Sequence, residues 1–395
     1  MKITRIEDFH VDGGWDVWSF LKISTDEGTV GWAEFSEERA RQGLTALVRA
    51  MGKQLIGEDP RNAGLICAKL RQTTQGVGIG LQSLAIGAYE NALLDIQAKA
   101  IGVPVHALFG GALRRRLPLY WSHFGMYRAK NPKIFEEVVG EPAVRSLDDL
   151  KAAAALVPLR GYKALKTNRL LLDPARLKGA TPSVARGAGA FELNIEPWML
   201  SDIVDQLQAL REGAGPDVAL MMDLNFNYKT EGFRRIAKAV EKFDMMWLEI
   251  DSASAAALST IRQSTSTPIG SLETILGRRA LLPFAQAQAV DVAIIDVVYN
   301  GLIESLRMAS LLEAFEVNVA GHNTFSQLGT AITAHFCAVI PNFRVLEFDV
   351  DEVPWRKALV TRPLEIENGE LIVNDRPGWG MDINEDVARE HAVAR

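Results

Sequence analysis

The chain has 395 residues, is 48% apolar and 23% charged and carries a net charge of −6, a composition that suits a protein with a full-sized core. The negative balance argues against a general nucleic-acid or anionic-membrane binder, which needs clustered Lys and Arg. The opening "MKITRIEDFHVDGG" lacks the apolar stretch of a signal peptide, and no run approaches a membrane span. The expectation is therefore a cytoplasmic protein with no membrane partner.

The segments "ITRIEDFHV" and "WSFLKISTDEGTVGWAEF" alternate apolar and polar residues, with a turn at Asp26-Glu27-Gly28 that splits the second into a hairpin. The segments "ARQGLTALVRAMGKQLIG" and "SLAIGAYENALLDIQAKAIG" space their apolar residues as helices do, and each ends on Gly. Together they predict a small α+β domain over residues 1–116. Its loop "DGGWDVW", Asp12 to Trp18, reads either as a plain hairpin connection or as a cover whose Trp15 and Trp18 exclude water from a site. Cys67 and Cys337 are solitary in apolar surroundings and read as two buried thiols rather than a disulfide or a metal site.

From Leu117 the pattern changes to short apolar strands alternating with amphipathic helices such as "MLSDIVDQLQALREG", "EGFRRIAKAVEKF" and "LIESLRMASLLEAFE". Strand ends are expected near Trp121, Lys166, Asp223, Glu249, Leu272, Asp296, Gly321 and Glu347. Eight strands in this rhythm predict an α/β barrel, with a doubly wound sheet as the alternative. The connection from Arg169 to Pro197 is too long for a plain βα turn. It is expected to offer a substrate a cationic contact such as Arg169, Arg176 or Arg186, or else to form a polar rim.

A polar residue closes nearly every strand: Asp223, Glu249, Glu273, Asp296, His322 and Glu347 follow one another at spacings of 26, 24, 23, 26 and 25. One βα unit of a barrel takes about that many residues, so the period places all six at the C-terminal mouth. Singly, each reads as a helix cap or a surface group; six in phase read as a site. Asp223, Glu249 and Glu273 on three adjacent strands would repel one another unless they shared a cation. Oxygen ligands select a hard ion, Mg²⁺ first and Mn²⁺ second. Asp296 beside His322 would fix the imidazole tautomer and raise its basicity. Such a pair facing a metal suits removal of a proton α to a carboxylate, with the metal stabilising the enediolate.

At the remaining strand end, "GYKALKTNRLLL", Lys166 and Asn168 point the same way by alternation. Here the chain resembles the enolase superfamily in its mandelate racemase-like branch. "AIGAYENALLDIQAKAIGVPVHALFGG" is similar to the helix and Pro turn leading into that family's barrel. "VVYNGLIESLRMASLLEAFEVNVAGHN" is similar to its sixth and seventh βα units, and "NGELIVNDRPGWGMDI" to the tail that returns to the small domain. The resemblance implies a modified TIM barrel, (β/α)7β, over residues 117–350. It also implies an N-terminal α+β capping domain and a C-terminal segment, 351–395, that returns to the cap.

Residue by residue, the resemblance implies one Mg²⁺ per subunit on Asp223, Glu249 and Glu273, and a catalytic dyad of His322 and Asp296. It makes Glu347 the acid that hydrogen-bonds a substrate carboxylate, and Asn225 a contact to the α-hydroxyl. His123, Tyr299 and Trp15 are expected to line the pocket, and a homo-oligomer binding a small carboxylate substrate is expected. The family writes Lys-x-Lys where this chain has Lys166-Thr167-Asn168. Lys166 fills the position that touches the carboxylate, but Asn168 fills that of the second base, and an amide cannot accept a proton. Inversion at the α-carbon generally needs a base on each face, whereas dehydration can use His322 for both proton transfers. The sequence therefore favours an acid-sugar dehydratase, a hydro-lyase, over a racemase, epimerase or lactone cycloisomerase. A non-catalytic carboxylate-binding barrel is the rival from another class.

Overall fold

The computed structural model describes residues 1–37, 41–73, 80–172 and 192–394. The alternating N-terminal segments form an antiparallel sheet of β1 (Ile3–Asp12), β2 (Val17–Thr25) and β3 (Val30–Phe35), in that order. Gly28 makes the β2–β3 turn at φ 80°, a backbone that glycine adopts without strain. Apolar residues of one sheet face, Leu21, Ile23, Ala33 and Phe35 among them, pack on α1 (Leu44–Gly52), α2 (Ala63–Thr73) and α3 (Leu81–Ala100). Cys67 and Cys337 are free and buried, as expected. Burial pushes the Cys67 thiol up to about 12, so it stays protonated and inert.

Eight parallel strands follow: β4 (Arg116–Trp121), β5 (Ala164–Asn168), β6 (Ala219–Asp223), β7 (Trp247–Glu249), β8 (Ile269–Ser271), β9 (Val292–Asp296), β10 (Asn318–His322) and β11 (Phe343–Phe348). Each pairs with the next, and β11 pairs with β4, which closes the barrel and removes the doubly wound alternative. Every strand ends within two residues of its expected position. The hairpin of β12 (Ile366–Glu367) and β13 (Glu370–Ile372) lies antiparallel on β4. The chain then runs back to the small sheet, where Ala392 bridges Val11 and the Val393 N–H donates to the His10 carbonyl at 2.9 Å. Among the described residues no helix is long and apolar enough to cross a membrane.

Helix α3 joins cap to barrel, and for that reason it is buried almost all round. A Cβ at Gly87 would stand 2.8 Å from the Tyr299 carbonyl, so only glycine allows this approach to the segment after β9. Asn91 caps the joint, donating to the Val297 carbonyl at 3.2 Å and accepting from the Leu302 N–H at 3.0 Å.

Glu34 of β3 makes a second joint, accepting from the Ser326 N–H at 3.0 Å, the Ser326 hydroxyl at 2.5 Å and the Gly329 N–H at 2.9 Å. Burial pushes its carboxyl from 4.5 up to about 7, against the pull of those donors and Arg356. A folded-state pKa above the unfolded one makes a contribution that is complete below the unfolded value and lost as pH rises through the folded value. The ionised Glu34 therefore weakens the joint by roughly 3 kcal/mol. The stability of Glu34→Gln relative to the parent should rise by about that amount between pH 5 and pH 8, because the variant does not titrate. Urea unfolding at the two pH values checks this; a gap independent of pH would contradict it.

Candidate active site

The register of the barrel builds the site. Asn168 of β5 pairs across to Asp223 of β6, Asp223 to Glu249 of β7, and His322 of β10 to Asp296 of β9. One row of strand ends thus carries an amide, two carboxylates and a His–Asp pair. Past β8, Leu272 adopts φ 95°, and this sharp turn precedes Glu273, which lines the same pocket. The pocket is a cavity of about 200 Å³, walled by Lys166, Asn168, Asp223, Glu273, His322 and Glu347. The cap contributes Trp15, Asp16 and Arg41 to its lining.

Lys166 is the buried cation of the mouth. Its Nζ lies 3.1 and 3.0 Å from the two oxygens of Glu249 and 2.8 Å from Glu347 Oε1. Burial pulls its pKa down, but Glu249 and Glu347 outweigh it and hold the ammonium well above its ordinary range. Glu347 responds in the opposite sense: burial pushes it up, yet Lys166, His322 and His123 hold it well below the usual carboxylate range. In this arrangement Glu347 Oε1 accepts from Lys166 at 2.8 Å and from the Ser122 hydroxyl at 2.5 Å, and Glu347 lines the pocket where the resemblance places the contact to a substrate carboxylate.

Asp223, Glu249 and Glu273 reach the same mouth. Glu249 is pushed up to about 8, by burial first and then by Asp223, Glu273 and Glu347 against the pull of Lys166. Asp223 is raised by burial and Glu273, again against Lys166. Asp251, two residues past Glu249, was not anticipated from the sequence. It is buried with no hydrogen-bond partner on either carboxylate oxygen. Burial, Glu273, Asp223 and Glu249 push it well above the carboxylate range. A buried carboxylate among three others, with no donor, calls for a cation, and an all-oxygen donor set fits Mg²⁺. Among the described residues no three such side chains stand at closed metal-ligand spacing. Glu249 accepts from Lys166 at 3.0 Å, Glu273 lies 3.2 Å from His322, and Asp223 accepts from the Asn225 amide at 2.8 Å.

The dyad stands as the spacing predicts. His322 Nδ1 donates to Asp296 Oδ2 at 2.6 Å, and Asp296 Oδ1 accepts from the Tyr299 N–H at 2.7 Å. His322 Nε2 is 3.2 Å from Glu273. Burial lowers the His322 pKa, but Glu273, Asp296 and Glu347 together push it up to about 10. Tyr299 lines the pocket beside His322, with ring centres 6.0 Å apart, and the Arg41 guanidinium lies 4.4 Å over the Tyr299 ring.

Several expectations shift in detail. Trp15 covers the pocket, stacked 4.7 Å from Tyr127 and 5.1 Å from Phe135. Trp18 does not: it lies on β2, paired with Val11 and buried in the main core. The sharp bend before Trp15 needs Gly14, at φ 88° and so close to Val353 that a Cβ would collide with it. Asn225 sits not on the strand but past it, at φ 47°, and its amide donates to Asp223 Oδ2 at 2.8 Å. Asn168 also donates to that oxygen, at 3.3 Å. Both amides therefore orient Asp223, although both line the pocket. Arg169 is buried against Trp198 and pairs with Asp202 at 3.1 Å on the helix Pro197–Ala214, so it does not reach the pocket. Arg176 and Arg186 lie outside the described residues. His123 lines the pocket as expected, and its partner Asp349 was not anticipated.

A closed (β/α)7β barrel under an α+β cap, with acidic strand ends and a His–Asp pair gathered at its C-terminal mouth, has the architecture of a barrel enzyme. Residues 16–110 match the family described as mandelate racemase / muconate lactonizing enzyme, N-terminal domain, and residues 175–387 match the enolase C-terminal domain-like family. The chain belongs to the enolase superfamily, in its mandelate racemase-like branch. A crystal structure from Burkholderia xenovorans strain LB400, bound to magnesium and fumarate, carries the provisional name L-alanine-DL-glutamate epimerase. It is similar at TM-score 0.92 and 40% identity, over 99% of this chain and 96% of that one. D-xylonate dehydratase of Haloferax volcanii is 28% identical over 99% of this chain and 89% of its own length. D-galactarolactone cycloisomerase of Agrobacterium fabrum is 27% identical over 94% of this chain and 90% of its own.

Proposed function

We propose that this chain is a Mg²⁺-dependent acid-sugar dehydratase, a hydro-lyase that converts a small polyhydroxy carboxylate to its 2-keto-3-deoxy acid. The observation that carries the reading is the intact His322–Asp296 pair beside the carboxylate cluster, together with an amide, Asn168, where a second lysine base would stand. The dehydratase among the relatives supports it. The cycloisomerase shares the need for a single α-proton transfer and marks the nearest alternative.

Asp223, Glu249 and Glu273 would hold the metal, with Asp251 behind them. When bound, Mg²⁺ supplies positive charge that steadies the substrate carboxylate and the enediolate derived from it. Lys166, fixed between Glu249 and Glu347, adds a permanent positive charge at the pocket floor that draws the carboxylate in. Asp296 holds His322 with Nε2 toward the pocket, where Nε2 would take the α-proton. Trp15 and its aromatic stack keep water from the enediolate.

Glu249→Gln removes one formal charge from the cluster and should weaken Mg²⁺ binding by more than about 100-fold, measured by calorimetry, because even residues behind a ligand change affinity 10–100-fold. Against a panel of mono- and diacid sugars with Mg²⁺, the parent should form a 2-keto acid, and EDTA should abolish it. Full activity after EDTA treatment would contradict the metal assignment.

A further inference from the structure

A second His–Asp pair stands at the same mouth. His123 follows β4, and its Nδ1 lies 2.8 Å from Oδ1 of Asp349, which follows β11. The other oxygen of Asp349 accepts from the Tyr127 hydroxyl at 3.3 Å. Ser122 Oγ, 3.3 Å from the same imidazole nitrogen, donates to Glu347 Oε1 at 2.5 Å. His123 is held at φ 47°, a left-handed backbone uncommon outside glycine. The Phe124 N–H to the Lys166 carbonyl, 2.8 Å, and the Met126 N–H to the His123 carbonyl, 2.9 Å, hold that turn. Strain kept in place by such bonds clusters at sites where a side chain must be aimed.

The sheet order fixes where the imidazole comes from. β11 pairs with β10 on one side and β4 on the other. His322 at the end of β10 and His123 past the end of β4 therefore flank Glu347 from opposite sides. His322 Nε2 is 3.9 Å from one Glu347 oxygen, and Ser122, next to His123, holds the other. With Nδ1 turned to Asp349, Nε2 is the His123 nitrogen left for the pocket that it lines. β4 also neighbours β5, where Asn168 has displaced the second lysine, and Lys166 is committed to Glu249 and Glu347.

We propose that His123, positioned by Asp349, is the general acid that protonates the departing β-hydroxyl, so that His322 handles the α-proton alone. This inference rests on the dehydratase reading. His322 Nε2 takes the proton from the α-carbon, and that electron pair forms the carbon–carbon double bond as the β C–O bond breaks. The leaving oxygen takes the proton from His123 Nε2 and departs as water. The enol becomes the 2-keto acid by losing its hydroxyl proton and gaining one at C3. His322 then returns a proton to solvent, and His123 regains one. Acid and base on opposite sides of Glu347 select substrates that can place the α-hydrogen and β-hydroxyl anti.

The groups facing His123 are Asp349 and Glu347 from the β11 side, Lys166 from β5, Asp223 from β6 and the Tyr127 phenol from the following helix. Burial lowers the His123 pKa, but Asp349 and Glu347 raise it more than Lys166 opposes. The imidazolium form that an acid needs is thus favoured.

A β-fluoro analogue of whichever panel acid the parent dehydrates separates the roles, because fluoride leaves without a proton. His123→Asn should lower kcat on the hydroxy acid by about 10²–10⁴-fold, stay within about tenfold of the parent on the 3-deoxy-3-fluoro analogue, and keep α-proton exchange. Asp349→Asn tests the positioning residue: the alkaline limb of kcat/KM for the hydroxy acid should move to lower pH, and that for the fluoro analogue should not. Equal loss on both compounds in His123→Asn, full hydroxy-acid turnover in that variant, or an unmoved limb in Asp349→Asn would overturn the assignment. A parent that dehydrates no acid of the panel would instead remove the dehydratase reading itself, and this inference with it.

Discussion

His322→Asn should abolish dehydration and the exchange of the α-proton with solvent deuterium, each by about 10⁴-fold or more, since it removes the base and its Brønsted contribution. Asn is close in size and can still donate to Asp296, so the fold and Mg²⁺ binding should survive. The measurement is the loss of the C2 proton signal in deuterated buffer with Mg²⁺, alongside calorimetric metal titration of the same variant. The outcome to fear is a variant that still exchanges while Lys166→Met does not. That would make Lys166 the base and leave His322 a donor only.

Lys166→Met should have the largest effect on stability. Its ammonium neutralises the buried Glu347 carboxylate and donates to both oxygens of the buried Glu249. Breaking a buried pair by removing one partner costs about 3–5 kcal/mol, because the other charge is left uncompensated. The variant should therefore unfold at lower urea than the parent when metal-free. Added Mg²⁺ should narrow the gap, since Glu249 would then have another cation beside it. On the substrate side the loss of a fixed positive charge should lower kcat/KM by about 10²–10³-fold. A metal-free stability equal to the parent's would show that Lys166 does not hold these carboxylates together. A gap unchanged by Mg²⁺ would mean that Glu249 does not meet the ion.

Much of this was legible in the sequence, and the reason is geometric. A βα unit has a nearly fixed length, so acids at regular spacings had to arrive at equivalent strand ends; Asp296 and His322 meet at 2.6 Å on that ground alone. What one residue per strand could not show is what lies two residues on. Asp251 follows Glu249 and Asp349 follows Glu347 by two, and the "EID" and "EFD" patterns carried that signal. Hairpin register, not loop composition, decides the face of Trp18: on β2 it pairs with Val11 of β1 and packs into the core. Lys166 was placed at the mouth, but its partner on β7 lies two strands away, a reach across the barrel interior that no local pattern encodes. Arg169 leaned outward for the same kind of reason, since Asp202 and Trp198 lie on the helix that follows the long connection.

Product analysis of the parent protein with Mg²⁺ and the acid-sugar panel tests dehydration most directly. A 2-keto-3-deoxy acid should form from at least one member, only with the metal and not with His322→Asn. Accumulation of the C2 epimer, with no keto acid from any member, would contradict it.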